Sequence, residues 1–214
     1  MSIKKTRAGK SSPFAKGRRP SGGKKRGLTR RGFLGSTAAG GVVAATATEA
    51  RAAKPKTLGP TKAALTLNVN GQDHKVTVEP RVTLLRAMRN SLDITGPKEI
   101  CDRGACGGCG VIIDGKLVNS CMMLAVDAAG KKITTVEGLS QNGQLHPIQA
   151  EFVKLDALQC GFCTPGMVMA CKALLDHKKD PSLVDIKRGL SGNICRCGTY
   201  TRIFAAVQAA AKQV

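Results

Sequence analysis

The chain has 214 residues, of which 42% are apolar and 3% aromatic, with nine Cys and a formal charge of +20. The charge is uneven: residues 1–60 hold 15 Lys and Arg against one acid, Glu49, while the other 154 residues hold 19 against 13. A basic tail alone would suggest a nucleic-acid partner, but a targeting segment explains this one better and no nucleic acid is expected; nine cysteines in two groups of ligand-like spacing favour metal chemistry over a disulfide framework.

Residues 1–31 are rich in Lys, Arg, Gly, Ser and Pro and show no apolar period, so they read as an unfolded tail. Leu28-Thr29-Arg30-Arg31-Gly32-Phe33-Leu34 follows, then a weakly apolar run to Ala47 and the small-residue segment Ala50-Arg51-Ala52-Ala53. Charged region, apolar region and A-x-A-like site, in that order, make a signal peptide. The Arg30-Arg31 pair before Phe-Leu resembles the twin-arginine type. The apolar run is too short and too rich in Gly, Ala and Thr to span a membrane. Residues 1–60 are thus read as basic tail, export signal and linker. The expected location is periplasmic, through the twin-arginine export machinery.

From about residue 61 the period becomes two. Leu65, Leu67 and Val69, then Val76 and Val78, flank Asn70-Gly71 and predict a β-hairpin. Thr83 is a candidate N-cap for a short helix that turns Leu84, Leu85 and Met88 inward. Val111–Ile113 and Lys116–Val118 flank Asp114-Gly115, a second hairpin, and Ile133–Val136 is a last strand.

Between helix and hairpin lies Cys101-Asp-Arg-Gly-Ala-Cys106-Gly-Gly-Cys109, with Cys121 beyond it. C-x4-C-x2-C with a distant fourth Cys is the plant-type [2Fe–2S] spacing. Three thiolates come from one tight loop and the fourth closes the far side. Gly104, Gly107, Gly108 and Gly110 are expected to let the backbone turn at positive φ and come close to a cluster, and amides in such a loop can tune it.

From about residue 144 the period is helical. His146-Pro147 opens one helix, carrying Ile148, Phe152 and Leu155. Thr164-Pro165 opens another with Met167, Val168, Ala170, Cys171 and Leu174. Asp180-Pro181-Ser182 opens a third with Ile186, and the last runs from about Arg202 to Lys212. Four short helices suggest a bundle. Cys160-Gly-Phe-Cys163 and Cys195-Arg-Cys197 supply a second quartet. The C-x-C pair is unusual for zinc. Its two thiolates are expected side by side, as two ligands of one iron, which favours a second [2Fe–2S] while leaving zinc open. Cys171 reads as a core thiol. His74, His146 and His177 have no ligand spacing.

Gln159-Cys-Gly-Phe-Cys-Thr-Pro-Gly-Met167 and Ser191-Gly-Asn-Ile-Cys-Arg-Cys197, behind a plant-type loop, resemble the small iron–sulfur subunit of the xanthine dehydrogenase and aldehyde oxidase family, the molybdenum hydroxylases. The resemblance covers roughly residues 61–214. It implies an α+β chain: a β-grasp plant-type ferredoxin domain over 61–143 and an all-α four-helix bundle over 144–214, each with one [2Fe–2S]. It implies eight ligands: Cys101, Cys106, Cys109, Cys121, Cys160, Cys163, Cys195 and Cys197. It also implies that Gln159 and Cys197 face a molybdopterin held by a separate large subunit. Where the family often reads Cys-Arg-Cys-Thr-Gly-Tyr, this chain reads Cys195-Arg-Cys197-Gly198-Thr199-Tyr200. The exchanged pair is more like the exported aldehyde and N-heterocycle oxidoreductases. Some of those have a flavin subunit that bears FAD, and others serve c-type cytochromes with their haem.

The expected role is electron transfer from molybdopterin through two clusters to an external acceptor. Aldehyde or N-heterocycle oxidation is left to the large subunit, with no catalytic residue expected in this chain. Two other classes stay open: a free-standing exported ferredoxin, and a zinc-stabilised binding module.

Overall fold

The computed structural model describes residues 59–214. The expected basic tail, twin-arginine signal and most of the linker lie outside the described residues.

Strands β1 (Ala63–Val69) and β2 (Gln72–Val78) form the first hairpin, in register from Ala63 opposite Val78 to Val69 opposite Gln72. Asn70 and Gly71 take φ of 53° and 82°, the doubly left-handed turn that suits the twist of a two-residue hairpin. Helix α1 (Leu84–Ser91) begins as expected at Thr83, whose hydroxyl accepts the Arg86 amide. Such a cap is worth about 1 kcal/mol. The second hairpin joins β3 (Gly110–Ile113) and β4 (Lys116–Asn119) through Asp114-Gly115, at φ of 47° and 80°.

A short helix, α2 (Ala125–Ala128), leads into β5 (Lys132–Thr134). This strand stops two residues short of the expected Val136. The reason is a polar knot. Asn70 accepts the Thr135 amide at 2.9 Å and donates to the Thr135 hydroxyl at 2.9 Å, and that hydroxyl donates to Glu137. The Glu137 carboxylate also accepts the Gly96 amide. The chain is turned aside into a 3₁₀ segment, Val136–Leu139. The mixed sheet runs β2-β1-β5-β3-β4, with β1 and β5 parallel and the other neighbours antiparallel.

Four helices complete the chain: α3 (Pro147–Lys154), α4 (Thr164–His177), α5 (Leu183–Gly189) and α6 (Tyr200–Ala210). His146 caps α3, its ring accepting the Ile148 amide while Gln149 accepts the His146 amide. That capping box accounts for the histidine without a ligand role. Burial, then the charge of nearby Lys172, lowers its pKa. Ser182 and Asp185 cap α5 in the same reciprocal way. Helix α6 begins two residues before the expected Arg202, because Tyr200 and Phe204 both pack on the helical core.

The described residues fall within one compact unit holding two main apolar cores. One lies between the sheet and α1, built on Leu67, Val69, Leu84, Met88, Val111 and Ile133. The other is helical, built on Ile148, Phe152, Met167, Met169, Ile186 and Ile203. Strand β3 belongs to both. Val111 and Ile113 face the sheet core, and Ile112 faces α4. A strand covered on both sides reads as a continuous apolar run, which is why Val-Ile-Ile shows no alternation.

Candidate iron–sulfur sites

The first site is the loop from Cys101 to Cys109 together with Cys121, which sits in a 3₁₀ turn after β4. Positive φ is confined to Asp102 (49°), Gly104 (70°) and Gly107 (72°). The expectation of positive φ at Gly108 and Gly110 is not met. Those two are glycines for room: a side chain on Gly108 would strike Ile100, and one on Gly110 would lie 3.2 Å from the Gly107 carbonyl. Asp102 bears a side chain in a left-handed conformation, which carboxamides and carboxylates tolerate best, and the Arg86 guanidinium donates to it at 2.8 Å and to Glu99 at 3.2 Å.

The loop is tied to β4 and the 3₁₀ turn. Asn119 donates to the Gly104 carbonyl at 3.1 Å, and the buried Ser120 hydroxyl donates to the Cys109 carbonyl at 2.7 Å. The Gly104 amide donates to the Cys121 thiol at 3.3 Å, the kind of N–H···S bond that favours a thiolate. Within the site the thiols are paired. Cys101 lies against Cys106: hydrogen bonds from the Arg103 amide and then the Cys106 thiol bring Cys101 down to about 7, while burial raises Cys106. Cys121 lies against Cys109, and burial, then that neighbour, push it up to about 11, with a smaller contribution from Cys101.

The second site sits at two helix ends. Cys163 is the N-cap of α4, with the exposed Cys160 one turn before it, and Cys195 and Cys197 lie in the loop between α5 and α6. The Cys195 thiol lies against the Cys163 thiol across the site, and on the side of Cys197 it meets that residue's backbone amide. Burial, then Cys195, raise Cys163 to about 12. Burial opposes ionisation of Cys195 too, but hydrogen bonds from the Thr199 hydroxyl and amide, the Cys163 thiol and the Cys197 amide bring it down to about 7. The Thr199 hydroxyl is 3.2 Å from the Cys195 sulfur, and the Tyr200 hydroxyl accepts the Cys195 amide at 2.8 Å.

Among the described residues no group of three or more His, Cys, Asp or Glu closes around one metal ion. Six of the eight thiols lie in twos, Cys101 with Cys106, Cys109 with Cys121 and Cys163 with Cys195, and a binuclear cluster takes two thiolates at each iron. Thiols in such pairs, half-buried or buried, with amide and hydroxyl donors aimed at sulfur, fit [2Fe–2S] groups. Cys171 is fully buried in α4, and burial alone holds its thiol well above the usual range, so it stays a core residue. Gln159 is exposed next to Cys160. The holding residues Arg86, Asn119, Ser120, Thr199 and Tyr200 carry no spacing signal and were not foreseeable as site residues.

Residues 67–135 match the model of the 2Fe-2S iron-sulfur cluster binding domain, and residues 135–208 that of the [2Fe-2S] binding domain. The chain is 40% identical over 205 residues to the aldehyde oxidoreductase iron-sulfur-binding subunit PaoA of Escherichia coli (strain K12), covering 87% of this chain and 90% of that one. It is 41% identical over 152 residues to the nicotinate dehydrogenase small FeS subunit of Eubacterium barkeri, covering 71% and 97%. Among solved structures, quinoline 2-oxidoreductase from Pseudomonas putida 86 superposes with a TM-score of 0.69 at 40% identity, over 71% of this chain and 95% of that chain. The aldehyde oxidoreductase from Desulfovibrio desulfuricans does so with a TM-score of 0.67 at 39% identity, over 70% of this chain but 17% of that much longer one.

Proposed function

The chain belongs to the family of small iron–sulfur subunits of molybdenum-dependent oxidoreductases, and from that membership we propose that it relays electrons from a large molybdopterin-binding partner to an external acceptor through two [2Fe–2S] sites. The electron-transfer role is the family's. The assignment of ligands to residues is ours: Cys101, Cys106, Cys109 and Cys121 hold one group, and Cys160, Cys163, Cys195 and Cys197 the other. The observation that carries it is the facing of thiols in pairs, Cys101 with Cys106, Cys109 with Cys121 and Cys163 with Cys195. Each group, when bound, supplies a one-electron carrier. The chain's part is to present thiolates, to place N–H and O–H donors at sulfur, and to exclude water from Cys109, Cys121 and Cys195, which are all buried.

We further read the sheet segment and the helical segment as two domains, a β-grasp over 61–143 and a four-helix bundle over 144–214; the two apolar cores support this. Gln159 and Cys197 are taken to face the pterin, which the exposure of Gln159 allows. The names of the relatives support an aldehyde or an aromatic N-heterocycle as the substrate of the assembled enzyme; the acceptor is taken to be a flavin subunit or a c-type cytochrome, which rests on the resemblance of the Cys195–Tyr200 segment alone. Arg30-Arg31 and the segment after it support twin-arginine export to the periplasm.

The test is iron and sulfide analysis of the purified complex with electron paramagnetic resonance of the reduced form. Two distinguishable signals are expected, and Cys106→Ala should remove one and leave the other. A single signal in wild-type protein at full iron occupancy, or stoichiometric zinc, overturns the assignment.

A further inference from the structure

The two thiol sets are joined through backbone. The Ile194 amide donates to the Cys106 carbonyl at 3.0 Å. Cys106 belongs to the first set, and Ile194 directly precedes Cys195 of the second. From the Cys106 sulfur to the Cys195 sulfur every link is then covalent except this one hydrogen bond.

Beside it stands Asn193, whose side chain is buried at 7% exposure. Its Nδ2 donates to the Gly107 carbonyl at 3.3 Å and to the Gly166 carbonyl at 3.2 Å. One carboxamide thus ties the first thiol loop and the first turn of α4 to the second thiol loop. The main chain of Asn193 is fixed as well: its amide donates to Leu190 at 3.0 Å, and its carbonyl accepts the Tyr200 hydroxyl. The space is used up on both sides. A Cβ on Gly107 would meet the Asn193 carboxamide and the Gly192 carbonyl, and one on Gly166 would meet the Gly107 carbonyl. Two glycines and an asparagine therefore form a joint with no slack. The Ile194 side chain, in contrast, is 53% exposed and takes no part in it.

We propose that Asn193 is a positioning residue for electron exchange between the two iron–sulfur sites, clamping the Cys106 carbonyl against the Ile194 amide so that the exchange crosses a hydrogen bond and not an open gap. The reading rests on the two-site assignment above. One electron leaves one site as it arrives at the other; no bond is made or broken. Electronic coupling falls steeply with the width of a nonbonded gap, so a clamp that keeps the joint closed sets the rate without touching either thiol set.

The experiment uses the assembled complex with Asn193→Ala, and with Ile186→Val as a control that loosens the helical core away from the joint. Four quantities are read: iron per chain, magnetic splitting between the two reduced sites, the rate of electron equilibration after a fast one-electron pulse, and exchange of the Ile194 amide. In N193A iron should be unchanged, since Asn193 supplies no thiolate. The splitting should shrink, equilibration should slow, and the Ile194 amide should exchange roughly tenfold faster, the scale set by losing about one net hydrogen bond from the joint. Ile186→Val should leave splitting and rate as in wild type. Full iron with unchanged splitting and rate in N193A overturns this inference alone. Fewer than two signals in the wild-type complex overturns the two-site assignment and this inference with it. Should N193A not load iron, the wild-type complex decides: an Ile194 amide that exchanges as fast as an exposed loop amide overturns the clamp.

Discussion

Gly166→Ala is the sharpest perturbation the fold offers. Gly166 lies in the first turn of α4, where Ala is normally favoured over Gly by about 1 kcal/mol. Here the added Cβ would meet the Gly107 carbonyl oxygen, with the Gly108 Cα at 2.7 Å and the Gly107 carbonyl carbon at 2.9 Å. All three are backbone atoms of the first thiol loop, so no side chain can swing aside. Overpacking of a tight contact costs about 1–3 kcal/mol, and the upper end applies where backbone must move. Displacing the loop also strains the Asn193 bonds to Gly107 and Gly166, at about 1 kcal/mol each. Set against the helix-propensity gain, the net loss is about 4 kcal/mol, or ~8–16 °C in the melting midpoint of a chain of this size. The assay is thermal loss of the visible chromophore of the iron-loaded protein, at one scan rate. Gly115→Ala is the reference. Gly115 is left-handed at φ 80° with nothing within 4 Å of its Cβ position, so it reports backbone strain alone, about 1–2 kcal/mol. If Gly166→Ala melts within a degree or two of wild type, the tight apposition of α4 and the loop is wrong.

Three further outcomes are expected, the second from the sequence alone. In the iron-free chain at pH 7, Cys101, held near 7 by the Arg103 amide and the Cys106 thiol, is about half thiolate, whereas Cys121 near 11 and Cys163 near 12 are almost wholly protonated; alkylation followed by peptide mapping should label Cys101 well before those two, and labelling of Cys121 should catch up only as pH rises toward 11. Arg30→Lys combined with Arg31→Lys should strand folded, iron-loaded protein in the cytoplasm, since a receptor-read guanidinium pair is not replaced by ammonium groups; fractionation showing normal periplasmic activity would rule export by this signal out. Gln159→Ala should keep full iron yet slow the reduction of this subunit by substrate in single turnover, because an unpaired buried partner costs about 1–3 kcal/mol; an unchanged rate makes Gln159 an ordinary surface residue.

What was legible in the sequence was local. Asn70-Gly71 and Asp114-Gly115 each announce a hairpin because the left-handed turn admits few other residues. Thr83 and Ser182 announce helix starts, and His146-Pro147 marks a third, because their side chains or ring geometry act within three residues. The spacing of the eight thiols is a local signal of the same kind, and it supports the proposed ligand sets: ligands to a small object must be close in sequence or sit in pairs. What was not legible depends on segments far apart in the chain. The early end of β5 is set by Asn70, 65 residues before Thr135. That the Cys195 thiol lies against Cys163, 32 residues earlier, is set by the loop after α5, which Thr199 and Tyr200 hold by bonds to the Cys195 sulfur and amide.

Gly108 and Gly110 make the same point from the other side. A glycine in a thiol loop is read naturally as conformational freedom, yet only Gly104 and Gly107 use it. For Gly166 the requirement is the absence of a side chain where another segment's backbone arrives, while Gly110 sits close to the Gly107 carbonyl of its own loop and Gly108 beside the Ile100 side chain. Such a glycine carries its information in its partner, and the partner of Gly107 and Gly166 is Asn193. Asn193 stands inside the Ser191–Cys197 motif, but nothing in that motif says what its carboxamide bonds. Only when the first thiol loop, the start of α4 and the second thiol loop are brought together does it become the one side chain whose donor group reaches both of the other two. The thiols that would hold the electron carriers can be read from spacing; the contact between the two sets has to be read from the fold.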